Sequence, residues 1–260
     1  MLNVKLSLAC VLLAAGLTGC VTGSTGRQAP KASDTEAADI NLQLGVGYFR
    51  QGDLQSAQAK LEKAVEQNPK LVPAHTALGL VYERLGDIEG AERRYKRAVE
   101  IAPRDPDALN SMGQFLCRQE SRQTAALDYF DRALEVSLSE QYSNKAMVYT
   151  NAGLCAKRTD LERAENYLRA AVANDPRYAE ALLQLADVSY QRGNYLPARA
   201  FVQRYFAAAP ASPAALWLGL RVETALGDTG AADGYGARLK TDFPESVETR
   251  LVLERERDAG

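Results

Sequence analysis

Cysteine and histidine are the residue types best suited to covalent and acid–base chemistry near neutral pH, and both are scarce here. The 260 residues contain four cysteines and one histidine, His75. A single histidine excludes a multi-histidine metal centre and the two-histidine zinc motif of metalloproteases. A serine triad would have to use His75, which the repeat described below places at a packing position. The sequence therefore predicts no catalytic residue, no metal site and no cofactor, and the protein is not expected to be an enzyme.

Cys20 ends an N-terminal segment typical of bacterial export. Lys5 supplies a positive charge, and residues 6–17 carry no charged side chain, an apolar run too short to cross a bilayer. The sequence LTGC at residues 17–20 resembles the lipobox of bacterial lipoproteins, in which the cysteine thiolate receives the lipid. That resemblance implies that residues 1–19 are a cleaved signal peptide and that Cys20 is acylated. The alternative is an incidental cysteine in an ordinary signal.

Residues 20–37 are predicted to be the acylated cysteine and a flexible tether. They are rich in Gly, Ser and Pro and nearly free of large apolar side chains, so a coil span of roughly 20–25 Å is expected.

Val21 stands where the lipoprotein resemblance would place an aspartate for retention in the inner membrane. The implied location is the outer membrane, lipid-anchored on its periplasmic face.

The remaining chain repeats a motif with a period near 34 residues. Leu44-Gly45, Leu78-Gly79 and Met112-Gly113 are 34 residues apart, and the same spacing separates Pro69 from Pro103. This period and motif are those of the tetratricopeptide repeat (TPR). The predicted fold is all-α, a TPR solenoid of about six helix-turn-helix repeats in a right-handed superhelix. The predicted repeats are residues 38–71, 72–105, 106–145, 146–178, 179–212 and 213–246, with a C-terminal cap at 247–260.

The motif has a physical basis in how two helices cross. Small residues at positions 8 and 20 let the helix backbones approach, and large residues at positions 7, 11 and 24 fill the surrounding space. Gly followed by Asp or Asn ends the first helix and caps the second, and a proline closes the repeat. Repeat three lacks the Gly turn and the proline. Repeat six is predicted to be degenerate, because Gly236 stands where a large residue belongs.

A concave face lined by the first helix of each repeat is the predicted binding surface. By analogy with TPR arrays, positions 2, 5, 9, 12 and 13 point into it, giving an apolar groove with scattered basic residues that suits an extended or helical peptide. Some of these residues are alternatively expected to pack between repeats. The predicted groove residues are Leu42, Val46, Phe49, Leu80, Arg84, Gln114, Arg118, Leu154, Arg158, Leu183, Tyr190 and Trp217, with Glu83, Asn110, Thr150, Lys157, Asp187 and Arg221 at further positions of the same kind.

Cys117 and Cys155 fall near the ends of first helices in consecutive repeats. The export signal implies an oxidising compartment, in which neighbouring thiols pair. A Cys117–Cys155 disulfide is therefore predicted, bracing the junction that contains an insertion near residues 137–145. Two free buried cysteines acting as small apolar residues are the alternative.

The repeats behind a lipobox, with GQFLC ending at Cys117 and NAGLC ending at Cys155, resemble the type IV pilus biogenesis lipoproteins, the pilotins. The resemblance implies a protein that binds secretin subunits, or a peptide segment of them, and promotes their localisation and multimerisation in the outer membrane. Other pilus assembly proteins are further implied partners. The alternative is a TPR lipoprotein scaffold for peptidoglycan hydrolases or outer-membrane protein assembly. A net charge of −2 argues against nucleic acid as a partner, and no small-molecule substrate is predicted.

Overall fold

The computed structural model describes residues 33–139 and 142–259. The predicted signal peptide, Cys20 and the tether up to residue 32 lie outside the described residues, as do residues 140 and 141 within the predicted insertion. In the described ranges the chain forms thirteen α-helices and no strand, which confirms the all-α prediction. None of these described helices is long and apolar enough to cross a membrane.

The helices form six antiparallel pairs followed by a single helix. In each pair the first helix is called A, with an odd number, and the second is called B, with an even number. The helices are α1 Asp34–Arg50, α2 Leu54–Gln67, α3 Val72–Leu85, α4 Ile88–Ile101, α5 Pro106–Cys117, α6 Gln123–Ser139, α7 Lys145–Ala156, α8 Leu161–Asn174, α9 Ala179–Gln191, α10 Tyr195–Ala208, α11 Pro213–Leu226, α12 Thr229–Asp242 and α13 Val247–Ala259.

The first helix starts earlier than predicted. Ser33 is its N-cap, and the Ser33 hydroxyl oxygen accepts a hydrogen bond from the Glu36 amide at 3.2 Å. Residues 34–37, assigned to the tether by the sequence, are therefore helical. The prediction missed this start because it used only the apolar repeat pattern, whereas a serine cap and an acidic first turn stabilise the helix before that pattern begins.

The turns within and between repeats follow the predicted chemistry. Gly86 ends α3 at φ +84°, in the left-handed region that favours glycine. The Asp87 carboxylate then accepts a hydrogen bond from the Gly90 amide at 2.8 Å and caps α4. Asn194 differs, because it occupies the N-cap of α10 without a side-chain capping bond. Five B helices end two residues before a proline, at Pro69, Pro103, Pro176, Pro210 and Pro244.

Glycine in helix A allows the close crossing that the motif predicts. A β-carbon added at Gly79 would lie 2.9 Å from the Tyr95 ring, and one at Gly45 would lie 2.6 Å from Leu61. The same arrangement recurs where Gly113 faces Phe130 at 2.8 Å. These distances are shorter than side-chain contacts in proteins, so only glycine is accommodated without a shift.

The sixth repeat corrects the prediction that it lacks its large residue. Tyr235, one residue before Gly236, holds the large position of α12, because it follows Gly219 of α11 at the same 16-residue spacing that separates the facing pair in repeat two. A β-carbon added at Gly219 would lie 2.8 Å from the Tyr235 ring. Gly236 lies beside this crossing, with Leu220 Cδ1 3.4 Å from where its β-carbon would be. The crossing of the sixth repeat is therefore filled by the usual pair of a small residue in helix A and a large residue in helix B.

The last helix, α13, covers the final pair. Val252 is 4% exposed and packs in a cluster with Leu216, Leu220 and Leu239. The Thr249 hydroxyl is 3.0 Å from the Leu239 carbonyl oxygen and 2.8 Å from that of Phe243, carbonyls at the end of α12. The helix begins at Val247, as predicted, and protects the core of repeat six from solvent.

The A helices lie on the inner side of a curved array. Each A helix approaches the next one to within 8 Å between α-carbons, from α1 through α13, whereas the described B helices reach one another only through longer side chains, such as Tyr167 of α8 to Asp131 of α6. Elements on the inside of an arc are closer together than those on the outside. The face formed by the A helices is therefore concave, which is where the sequence placed the binding surface.

Candidate partner-binding face

The predicted groove residues all lie on A helices or within two residues of their C-terminal ends. None of them is fully buried. Phe49 and Leu80 are half-buried, and Arg84, Arg118 and Arg158 are exposed. The side chains are thus placed where a partner can reach them.

A line of contacts joins the ends of successive A helices, and we call it the A-helix ladder. The Arg84 guanidinium lies over the Phe49 ring at 5.6 Å, and Arg118 forms a two-point ion pair with Glu83 at 2.6 and 3.0 Å. The remaining steps are Arg158 donating to the Cys117 carbonyl oxygen at 3.0 Å, Lys157 pairing with Asp187 at 2.6 Å, and Arg221 over the Tyr190 ring at 4.2 Å.

The ladder changes the role expected of the basic groove residues. From the sequence, Arg84, Arg118 and Arg158 are expected to be charges available to a partner. Each of them already contacts the neighbouring repeat. Their guanidinium groups bridge adjacent A helices, so part of the interaction capacity of these exposed side chains is already used.

A cleft between α3 and α5 brings three predicted residues together. Leu80, Gln114 and Arg118 line it with Thr76 and Ser111, around a volume of about 230 Å³. Leu80 supplies an apolar wall, and Gln114 offers both a donor and an acceptor. This combination suits a peptide whose side chain inserts while its main chain forms hydrogen bonds.

Other predicted positions serve packing more than recognition. Leu183 and Trp217 are half-buried and pack against the core clusters. Asn110 and Thr150 are 3% and 2% exposed, so they do not line the groove. Asn110 instead accepts a hydrogen bond from Asn151 at 3.0 Å, between α5 and α7. The alternative that part of the groove set is inter-repeat packing holds for these residues.

Cys117 and Cys155 form a disulfide between α5 and α7. Their α-carbons are 5.7 Å apart and 38 residues apart in sequence. Cys155 is fully buried and Cys117 is partly exposed beside the Arg158 step of the ladder. The disulfide therefore braces the junction between the third and fourth repeats, whose α6 extends to Ser139 and is longer than the other B helices.

Tyr95, which the repeat motif assigns to packing, also supports the A-helix ladder. Its ring fills the space over Gly79, and its hydroxyl donates a hydrogen bond to the Glu83 carboxylate at 2.9 Å. The same carboxylate forms the ion pair with Arg118. Burial, with the Glu83 charge beside it, raises the pKa of Tyr95 well above its usual range. The hydroxyl therefore stays protonated and keeps Glu83 oriented toward Arg118.

Known proteins share both the repeats and their arrangement. The tetratricopeptide-repeat family matches residues 48–115 and 156–220. The chain is 32% identical over 241 residues to the type IV pilus assembly protein PilF of Pseudomonas aeruginosa, covering 91% of this chain and 93% of that protein.

Two solved structures are similar as well. Pseudomonas aeruginosa PilF superposes with a TM-score of 0.72 at 28% identity, covering 86% of this chain and all of that one. PilW, described as a widely conserved type IV pilus biogenesis factor, gives a TM-score of 0.74 at 29% identity, over 83% of this chain and 98% of that one. On the repeats, the fold and this identity, the chain belongs to the tetratricopeptide-repeat proteins of type IV pilus assembly.

Proposed function

We propose that this protein is a lipid-anchored pilotin, which binds secretin subunits on its concave face and promotes their multimerisation in the outer membrane. The anchor is Cys20, and the domain faces the periplasm. The bound element is a peptide segment of the secretin, and the protein acts by binding and not by catalysis.

The observation that carries this proposal is the similarity to PilF, a type IV pilus assembly protein, over 91% of this chain. The concave face supports it, because Leu80 offers an apolar wall and the Gln114 side-chain amide offers a hydrogen-bond donor and acceptor in the same cleft. The A-helix ladder supports it too, since cross-linked A helices present a preorganised surface to a peptide.

Leu80→Glu tests the concave face in a strain from which the gene has been deleted. A charge in the α3–α5 cleft disfavours burial of an apolar peptide side chain, so we expect secretin multimers on unheated gels to fall at least tenfold. Leu196→Glu is the matched control, since Leu196 is 66% exposed on α10, a B helix, and it should restore multimers fully. Equal rescue by both variants would contradict binding at this cleft. Normal multimers in the deletion strain itself would exclude the pilotin function.

Cys20→Ala tests the anchor. Acyl chains contribute about 0.8 kcal/mol per buried methylene, so their loss should release a folded domain from the membrane and leave secretin mislocalised. Membrane fractionation followed by immunoblotting measures both effects. Full secretin assembly with this variant would mean that the lipid is dispensable.

A further inference from the structure

A cavity of about 460 Å³ opens where α2, the α2–α3 turn, α3 and α4 meet. Val65, Pro69 and Tyr82 give it apolar walls, and three arginines of α4 also line it. It shares no residue with the A-helix ladder or with the α3–α5 cleft. Because α4 is a B helix, this cavity is a separate feature from the concave binding face.

His75 lines this cavity and carries an unpaired acceptor. Its side chain is 2% exposed, and its Nε2 lies 3.0 Å from the Pro69 carbonyl oxygen. A carbonyl only accepts, so Nε2 carries the hydrogen, and Nδ1 of the neutral ring is an acceptor. Nδ1 has no hydrogen-bond partner among the described residues. Buried polar atoms are nearly always paired, so Nδ1 is available to a donor that does not belong to the described chain.

Burial lowers the pKa of His75, and the charges of Arg94 and Arg97 lower it further. The ring is therefore neutral at pH 7, which is consistent with the acceptor role of Nδ1. The group that pairs with Nδ1 must bring its own hydrogen, as a peptide amide does.

Arg94 supplies a guanidinium with spare donors. It lies over the Tyr82 ring at 5.9 Å and interacts with the Tyr82 hydroxyl, and no ion pair joins it to a carboxylate of the described residues. The nearby Glu62 carboxylate accepts instead from the Tyr82 hydroxyl at 2.9 Å. An incoming carboxylate would thus meet Arg94 with most of its hydrogen-bonding capacity unused.

The two other arginines are held only by surface pairs. A guanidinium nitrogen of Arg93 lies 3.8 Å from a carboxylate oxygen of Glu89, and one of Arg97 lies 3.2 Å from a carboxylate oxygen of Glu100. Each partner is about one turn away on the solvent-facing side of α4. Such pairs contribute little to stability and are easily exchanged for an external carboxylate. The cavity therefore combines apolar walls, a buried acceptor and three guanidinium groups.

We propose that this cavity is a second docking site, for an acidic peptide segment of a protein partner in which an apolar side chain is flanked by carboxylates. The apolar side chain fills the space beside Val65 and Pro69, a main-chain amide donates to His75 Nδ1, and the carboxylates pair with the arginines. A phosphate ion or a phospholipid headgroup lacks the apolar group and offers mainly acceptors, so it fits less well. This proposal does not depend on secretin binding at the concave face.

The test uses the full chain and a terminally blocked peptide, GDEFEDG. His75 is the only histidine, so its imidazole signals in an NMR spectrum need no further assignment. We expect a saturable shift of these signals as peptide is added. Arg94→Ala should weaken binding about tenfold, because charge-assisted hydrogen bonds are lost.

Lys96→Ala is the matched control. It removes the same charge from α4, but Lys96 pairs with Glu92 at 2.7 Å and does not line the cavity, so affinity should stay within about twofold. The proposal is overturned if His75 does not shift, if Arg94→Ala binds as tightly as the unaltered chain, or if the uncharged peptide GNQFQNG shifts His75 equally. An equal saturable shift with inorganic phosphate or phosphatidylglycerol vesicles would also overturn it, because the occupant would then be a phosphate group.

Discussion

Replacing Cys117 and Cys155 together by alanine is expected to lower the free energy of unfolding by about 3–4 kcal/mol. The disulfide closes a loop of 38 residues, and cross-links of this length constrain the unfolded chain by that amount on the chain-entropy relation. In a repeat array each unit is stabilised mainly by its neighbours. Weakening the α5–α7 junction should therefore let the two halves unfold separately, and hydrogen exchange would show lower protection near that junction.

A reductant provides the control for this double variant. It should destabilise the unaltered protein by about the same amount and leave the double variant unchanged, because no other cysteine pair is present in the described residues. Denaturant titrations with and without reductant measure both effects. Two alkylatable thiols at these positions in protein never exposed to reductant would show that the disulfide does not form in the cell.

Gly79→Leu is expected to destabilise the protein by about 3 kcal/mol, at the upper end of typical overpacking. A β-carbon at this position lies 2.9 Å from the Tyr95 ring, so the ring must move. The Tyr95 hydroxyl is bonded to Glu83, which also holds Arg118. Displacing the ring therefore disturbs the A-helix ladder between α3 and α5 as well as the local crossing.

Gly47→Leu is the matched control for that substitution. Gly47 also lies in an A helix, but a β-carbon there meets no atom within 4 Å. Leucine forms helix better than glycine by up to about 1 kcal/mol, so Gly47→Leu should be neutral or slightly stabilising. Thermal unfolding should separate the two variants by several degrees. Equal melting temperatures would contradict the register that places Gly79 over Tyr95.

The repeat unit could be predicted because its determinants are local. Gly79 and Tyr95 are 16 residues apart in the same helix pair, and their spacing alone indicates a tight crossing. The Gly-Asp turns and closing prolines act within a few residues of their own position. The start of α1 was missed because its cap precedes the apolar pattern, and repeat six was misjudged because its large residue is Tyr235, one position before Gly236.

The polar contacts of the binding face could not be predicted in the same way. Glu83 and Arg118 are 35 residues apart and belong to different repeats, so their pairing depends on the offset between α3 and α5. Long arginine side chains can reach several partners, and a small change in that offset selects another one. The unpaired Nδ1 of His75 could not be predicted either, because the lack of a partner is recognised only when the packing of α2, α3 and α4 is known.

By itself the sequence determined the repeat unit, the order of the helices and which helix of each pair forms the concave side. These features depend on side-chain size and backbone preference within about 34 residues. Only the tertiary structure decided which polar groups on that face already have partners. It also decided which cavity is lined by a polar group without a partner. Those outcomes depend on the packing of one repeat against the next, where distances of an ångström or two separate a hydrogen bond from an open site.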